Sequence, residues 1–347
     1  MSQVPAIVFD SSETLLLHAA LNSDESSPKA WREWRASHHL QQTGTREFAI
    51  LHHLSQRYES IDFGDDALLL TGLRNRAWAI NQQTALLVTE ACEVLSSAGI
   101  ASVPIRGSAL LLDPSVDTMR PIAQGELWID AMNWSRSLQK LREEGWHFRH
   151  RPRASMTDAV LSQPRGALFL TWGREFPVLR RTPPEFPSVE PSAEAPMLDS
   201  AGSILSFLVA EGVAAPSTVT ITWPLDAMQV LAGHSAEAGF WNSVIADSAD
   251  GGYASLVASG LQWLRAQLGA DVPEHVVEVL ATAPTDLTVM REIAARGSER
   301  KHRSASRRRR DIRRARRLEP WSAVPAVSRW STGIRFVQAS SAARILR

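Results

Sequence analysis

Cysteine is almost absent from this sequence. Cys92 is the single cysteine among 347 residues, which excludes an intramolecular disulfide framework and a cysteine-rich zinc site and is typical of a reducing compartment. Long apolar runs are also missing, because none approaches the roughly 20 residues that a membrane-spanning helix needs. The first residues, MSQVPAIVFDSSETLLLHAAL, lack the basic start and the small-residue cleavage site of a signal peptide. We therefore expect a cytoplasmic protein that has no membrane partner.

Familiar catalytic patterns are missing as well. The sequence has no Gly-x-Ser-x-Gly elbow, no phosphate-binding P-loop and no glycine pattern of a dinucleotide-binding fold. Asp10 begins a partial phosphatase-type pattern, but Ser12 stands where the second acid is required, so we interpret Asp10 or Ser12 as a helix N-cap. None of the close histidine groups has the four-residue helical spacing that favours zinc, and His147 with His150 is expected in an arginine-rich turn.

The pattern of apolar residues predicts an α+β protein with helical regions on both sides of a central α/β core. Residues 1–95 have the three- and four-residue spacing of helices, and residues 96–181 alternate short strands such as GELWI and GALFLTW with helices. Residues 182–196 contain five prolines and are expected to be a linker. Residues 197–347 are again helical by pattern. The length of the chain fits two or three domains.

The charge of the chain is balanced in total but uneven in distribution. Residues 300–317 contain 11 Lys or Arg and one Asp, which leaves 26 basic and 36 acidic residues elsewhere and therefore a net charge of −10. Such a basic segment could serve as an adaptor that binds nucleic acid or another acidic partner through counterion release. It could equally pair with the acidic remainder of the chain. Because no aromatic residue interrupts the segment to stack on bases, we favour internal pairing over nucleic acid.

The central region carries a more specific resemblance. LSSAGIASVPIRGSALLLDPSVDTMRPIAQGELWID resembles the core of a bacterial family of uncharacterised nucleotidyltransferases with the DNA polymerase β-type fold. The leading helices and the C-terminal helical half also resemble that family, over roughly residues 13–285. The resemblance implies a transferase that uses a nucleoside triphosphate (NTP), with a nucleotidyltransferase-type α/β core.

The resemblance also implies a metal site that this sequence has largely lost. In such folds two acids alternate on one strand and a third lies on a neighbouring strand, and together they hold divalent ions such as Mg²⁺. Here Gln124 and Glu126 stand at the first two positions, and Phe169 stands at the third. Glu126 and Gln124 are therefore the candidate catalytic residues, Glu126 is the candidate metal ligand, and Mg²⁺ is expected only if the protein is active.

Candidate nucleotide-binding residues persist beside the altered metal positions. Arg106, Gly107 and Ser108 match the family's phosphate-binding turn, and Arg120 matches a second basic position. Three hypotheses remain open: a pseudoenzyme kept as a nucleotide-binding or protein-interaction module, an active transferase acting on a small-molecule, sugar or peptide acceptor, and an adaptor that acts through residues 300–317. A purely structural interpretation is also open, because glycine is common at strand–helix turns and Arg120 could pair with a nearby acid.

Overall fold

The computed structural model describes residues 7, 9–22, 25–40, 43–55, 61–118, 120–149, 158–172, 201–214 and 222–286. All of these residues belong to one compact unit, residues 1–294. The elements in this part of the chain are α1 (Ser11–Leu21), α2 (Ser26–Ser37), α3 (Thr45–Leu54), α4 (Ala67–Ser97), β1 (Ser102–Pro104), α5 (Gly107–Leu112), β2 (Gln124–Ile129), α6 (Trp134–Glu143), β3 (His147–Phe148), β4 (Asp158–Gln163), β5 (Gly166–Trp172), α7 (Ala201–Ala214), α8 (Trp223–His234), α9 (Phe240–Asp250), α10 (Ala254–Leu268) and α11 (Glu274–Thr282).

The five strands form one mixed sheet in the order β1-β2-β5-β4-β3. Strand β2 is antiparallel to β1 and parallel to β5, and β4 is antiparallel to both β5 and β3. The α+β class predicted from the sequence is therefore confirmed. Strand β2 lies between β1 and β5, so its side chains are positioned by backbone hydrogen bonds on both edges.

One face of the sheet packs on the long helix α4. Alternate residues of a strand point to opposite faces, and the residues of β2 that point toward α4 are Gly125, Leu127 and Ile129. Leu127 and Ile129 share a core with Leu87 and Val88 of α4. A Cβ on Gly125 would lie 2.6 Å from a methyl carbon of Val88, so glycine lets this helix approach the strand closely.

A second and larger core joins the helices that precede the sheet to those that follow it. Leu16 and Leu17 of α1 belong to the same buried cluster as Leu261 and Leu264 of α10. A small cluster on the open face of the sheet places Phe207 of α7 against Trp128. Helix α7 therefore covers part of the sheet face that α4 leaves open.

The predicted N-cap of the first helix is confirmed. Asp10 caps α1, since its carboxylate accepts from the Glu13 N–H at 2.7 Å and the Glu13 side chain accepts from the Asp10 N–H. Gly99 has φ +65° just beyond the end of α4, the left-handed conformation that ends many helices. By contrast, the turn expected around His147 is wrong, because His147 pairs with Ser162 in the β3–β4 ladder.

Several predictions lie outside the described residues. The proline-rich linker 182–196, the basic segment 300–317 and His150 are among them, and the proposed domain boundaries at 95, 181 and 196 stay predictions. Among the described helices, none is long and apolar enough to cross a membrane.

Candidate functional site

The predicted metal positions lie next to one another on the open face of the sheet. Gln124, Glu126 and Trp128 alternate along β2 and so point to the face opposite α4. Phe169 of β5 is the direct partner of Glu126 in the parallel ladder. The sheet therefore brings Gln124, Glu126 and Phe169 into one small patch.

This patch does not fit a two-metal site. Glu126 supplies the single carboxylate among the three positions, Gln124 is a neutral ligand, and the phenyl ring of Phe169 cannot bind a metal ion. Within the described ranges, no group of three or more His, Cys, Asp or Glu residues could hold a metal ion. Asp130, further along the chain from β2, accepts from the Met132 N–H at 2.6 Å and so caps a short turn instead.

The chain passes from β1 to α5 through a tight turn at residues 105–108. The Ser108 N–H donates to the Ile105 carbonyl at 3.1 Å, and Arg106 has φ +52° and ψ −124°. These angles are those of the first central residue of a type II′ turn, a position that strongly favours glycine. Arg106 is the only non-glycine residue with positive φ in the described structure. An arginine held in this conformation carries backbone strain of about 1–3 kcal/mol.

The same turn is bonded to strand β2. The Glu126 N–H donates to the Ser108 hydroxyl at 2.7 Å, and the Ile105 N–H donates to the Glu126 carbonyl at 3.1 Å. A Cβ on Gly107 would lie 2.9 Å from the Ile122 side chain. Both the N–H and the hydroxyl of Ser108 therefore form hydrogen bonds inside the protein. The N–H that was a candidate for binding phosphate already has a hydrogen-bond partner.

The guanidinium of Arg106 is held between two carboxylates. Its Nε and Nη2 donate to the two oxygens of Glu211 in α7 at 3.1 and 3.0 Å, and its Nη1 donates to Glu126 at 3.3 Å. The guanidinium also lies 5.9 Å from the centre of the Phe207 ring, one helical turn before Glu211. The Arg106 side chain is only 10% exposed. Fork-to-carboxylate pairing of this kind is among the stronger charge-assisted contacts in proteins.

Arg120 is also paired with an acid. Its Nε donates to both oxygens of Asp226 in α8, at 2.8 and 3.0 Å, and the Asp226 side chain is 3% exposed. Burial lowers the pKa of Arg120, but the carboxylates of Asp226 and Glu126 outweigh it and hold the pKa above its usual range. Burial raises the pKa of Asp226, against the opposing effect of Arg120. Arg120 therefore pairs with a nearby acid, as the structural interpretation of this residue proposed.

The loop that carries Arg120 is fixed by two polar side chains of α4. The Asn81 side chain donates to the carbonyls of Thr118 and Arg120 at 2.9 and 3.0 Å and accepts from the Ile122 N–H at 2.8 Å. The Thr84 hydroxyl donates to the Ile122 carbonyl at 2.6 Å. These hydrogen bonds hold the segment that leads into β2 against α4, and so they help to position Glu126.

Two histidines of α3, His52 and His53, are buried, and His53 lies near Arg120. Burial lowers the pKa of His52 to about 4, although a hydrogen bond to the Leu73 backbone opposes this. Burial, the charge of Arg120 and His52 together lower the pKa of His53 to about 3. Both rings are therefore neutral at physiological pH, and His53 is close enough to Arg120 to be influenced by its charge.

The acids that pair with Arg106 and Arg120 were not predicted from the sequence. Glu211 is 105 residues from Arg106, and Asp226 is 106 residues from Arg120, so no local spacing could connect them. Asn81 and Thr84 did leave a signal, because both interrupt the apolar stripe of α4 at helical spacing. A buried polar residue within an apolar stripe requires a hydrogen-bonding partner.

The candidate residues form one continuous region of the molecule. The turn contacts Glu126 through the side chains of Arg106 and Ser108. The charge of Glu126 also raises the pKa of Arg120 in the adjoining loop. Arginines and carboxylates alternate in this region, which we call the ion-pair cluster: Arg106, Arg120, Glu126, Glu211 and Asp226. Comparison of the chain with models of protein families, with curated proteins and with solved structures finds no match.

Proposed function

We propose that this protein is a nucleotidyltransferase-like pseudoenzyme that acts as a protein-interaction module. One observation carries the proposal: Arg106, the arginine at the family's phosphate-binding position, is bound by Glu211 and by Glu126. Glu126 is in turn the only carboxylate among the three metal positions. The same ion pair therefore engages both the phosphate-binding and the metal-binding candidate.

Two physical arguments support loss of catalysis. Nucleotidyl transfer through paired divalent ions needs several carboxylates that face a common point, because the ions must be held and their charge balanced. Gln124 and Phe169 cannot provide them. In addition, the cluster contains two arginines and three carboxylates, and a triphosphate without metal would approach a region that is already net negative.

The cluster has a structural role that does not require a nucleotide. It connects the strand–helix turn and β2 to helices α7 and α8, through Arg106 with Glu211 and Arg120 with Asp226. Such contacts fix the C-terminal helices on the open face of the sheet. A fold that is stabilised in this way can be retained for its surface, without any reaction at its former site.

Turnover assays with the purified full chain test the proposal directly. Each NTP is supplied with Mg²⁺ or Mn²⁺, and pyrophosphate release is measured for the wild type and for Glu126→Ala. We expect no divalent-dependent release above the no-enzyme background in either protein. Release by the wild type that is lost in Glu126→Ala would establish the alternative, an active transferase that uses Glu126 and Gln124 around one metal ion.

A gain-of-binding variant tests whether the metal positions are correctly assigned. Gln124→Asp, Glu126→Asp and Phe169→Asp in one chain should create Mn²⁺ binding that the wild type lacks, measured by calorimetry. Phe169→Asp alone is the matched control and should not bind. A folded triple variant that fails to bind Mn²⁺ would show that these are not the metal positions.

Metal-independent nucleotide binding is the second candidate, and the backbone of Arg106 favours it. Strained residues of this kind cluster at ligand sites, and Arg106 stands at a position where glycine would relieve the strain. Binding would require the phosphates to displace Glu211. If ATP binds in calorimetry without metal, Glu211→Gln should tighten it and Arg106→Ala should abolish it. No heat with any nucleotide would exclude this candidate.

A further inference from the structure

The exposed side of α4 carries a short row of side chains that the described part of the chain leaves largely exposed. Arg74, Trp78, Gln82, Leu86 and Glu90 follow one another at four-residue spacing, so they form a single ridge on the helix surface. Trp78 is 65% exposed and Leu86 is 62% exposed. Large apolar side chains grouped on a surface indicate an interaction site more often than isolated ones do. We call these five residues the α4 ridge.

The α4 ridge is complementary to itself. Its two apolar side chains, Trp78 and Leu86, lie one turn before and one turn after Gln82, and its two charges, Arg74 and Glu90, lie two turns before and after. At 1.5 Å per residue these steps are about 6 and 12 Å along the helix axis. Rotation by half a turn about an axis through Gln82 therefore exchanges Trp78 with Leu86 and the basic end with the acidic end.

We propose that the α4 ridge binds a second copy of this chain and forms a two-fold symmetric, antiparallel dimer. Trp78 of each copy would pack on Leu86 of the other, and Arg74 of each copy would pair with Glu90 of the other. Packing of four-residue ridges against each other is the commonest way in which helices cross in globular proteins. A two-fold axis requires that the same patch be used on both copies, and the order of charge and apolar groups on this ridge meets that requirement.

The charges at the two ends are available for such contacts. Glu90 pairs with Arg165 within the chain at 3.4 Å, but both side chains are well exposed, with 40% and 66% exposure. A pair so exposed contributes little stability, so it can share or yield Glu90 to Arg74 of the other copy. Because one helix pair buries less surface than the roughly 1,200 Å² of a standard interface, we expect a dimer that dissociates on dilution.

Charge reversal gives the sharpest test, with the association of the full chain measured by sedimentation velocity at low salt. The wild type should dimerise in a concentration-dependent way. Arg74→Glu alone and Glu90→Arg alone should each weaken dimerisation by about tenfold or more, because like charges then face each other twice. The double variant Arg74→Glu with Glu90→Arg should dimerise as the wild type does.

Mixing the two single variants separates this geometry from general effects of charge. One variant then presents two acids and the other presents two bases, so an equimolar mixture should form heterodimers at concentrations where each variant alone dimerises about tenfold or more weakly than the wild type. Native mass spectrometry resolves the two species when one copy is isotopically labelled. Folding is checked independently by the melting temperature, which surface changes of this kind should leave nearly unchanged.

Apolar variants provide the matched control. Trp78→Ala should weaken dimerisation by about 30-fold, as expected of a central tryptophan. Leu68→Arg changes a side chain that is 86% exposed on the same helix, but about 21 Å from Gln82, and should have no effect. A wild type that remains monomeric up to about 1 mM, or a dimer that Trp78→Ala and the charge reversals leave intact, would overturn the proposal.

Discussion

Removal of the Glu211 carboxylate should reveal how much the ion-pair cluster contributes to folding. In Glu211→Ala, Arg106 loses two charge-assisted hydrogen bonds of 3.1 and 3.0 Å while its side chain stays 10% exposed. Breaking a buried ion pair from one side costs about 3–5 kcal/mol. Glu211 is 20% exposed and Glu126 remains beside Arg106, so we expect a smaller loss, about 2–3 kcal/mol in the free energy of unfolding.

Urea denaturation with unchanged m-values measures this loss. The control is Arg165→Ala, which breaks the exposed pair with Glu90 and should cost less than about 1 kcal/mol. A double-mutant cycle with Arg106→Ala then isolates the coupling between Arg106 and Glu211, which should be about 2 kcal/mol. A coupling below about 0.5 kcal/mol would refute the view that this pair fastens α7 to the sheet.

Three further predictions concern strain, packing and pH. Arg106→Gly should be more stable in urea than Arg106→Ala by about 1–2 kcal/mol, because φ +52° penalises any Cβ; equal stabilities would argue against strain. Gly125→Ala should lower the melting temperature through overpacking against Val88, and Val88→Ala should restore part of the loss, whereas an additive effect would contradict the contact. Burial lowers the pKa of His52 to about 4 and that of His53 to about 3, against 6.5 in the unfolded chain. As the pH falls, the unfolded chain therefore binds protons at these histidines before the folded protein does. The free energy of unfolding should be insensitive to them above about pH 6.5 and should be lower by roughly 2 kcal/mol per histidine at pH 5. His53→Gln should halve that fall in denaturation at several pH values.

Elements with strong local signals were predicted well from the sequence. The predicted strand GALFLTW is β5 as the structure has it, since apolar β-formers flanked by glycine carry their own signal. Strand β4, DAVLSQ, was missed because its outer positions are polar and it depends on pairing with β5. The start of α4 at Ala67 is hard to see in the sequence, because the exposed Leu68 and Leu69 obscure the amphipathic stripe.

The candidate site divides in the same way between local and distant information. The two-residue spacing of Gln124 and Glu126 on a strand predicted that their side chains share a face. The turn at Gly107 was predicted because a strand pattern gives way to a helix pattern there. What the arginines bind could not be predicted, since Glu211 and Asp226 come from helices more than 100 residues away. The sequence contains the acids, but only the packing of α7 and α8 decides which arginine each one meets.

The core shared by the first and last helices has a consequence for synthesis. Phe9 and Trp263 lie with ring centres 4.9 Å apart, yet at 5–20 residues per second a ribosome needs about 13–50 s to proceed from one to the other. Throughout that interval Phe9 lacks Trp263, and the residues of α1 lack the part of their shared core that α10 supplies. Part of the apolar surface of the N-terminal helices therefore stays uncovered until α10 has been synthesised, and we expect chaperones to bind a nascent chain at that surface.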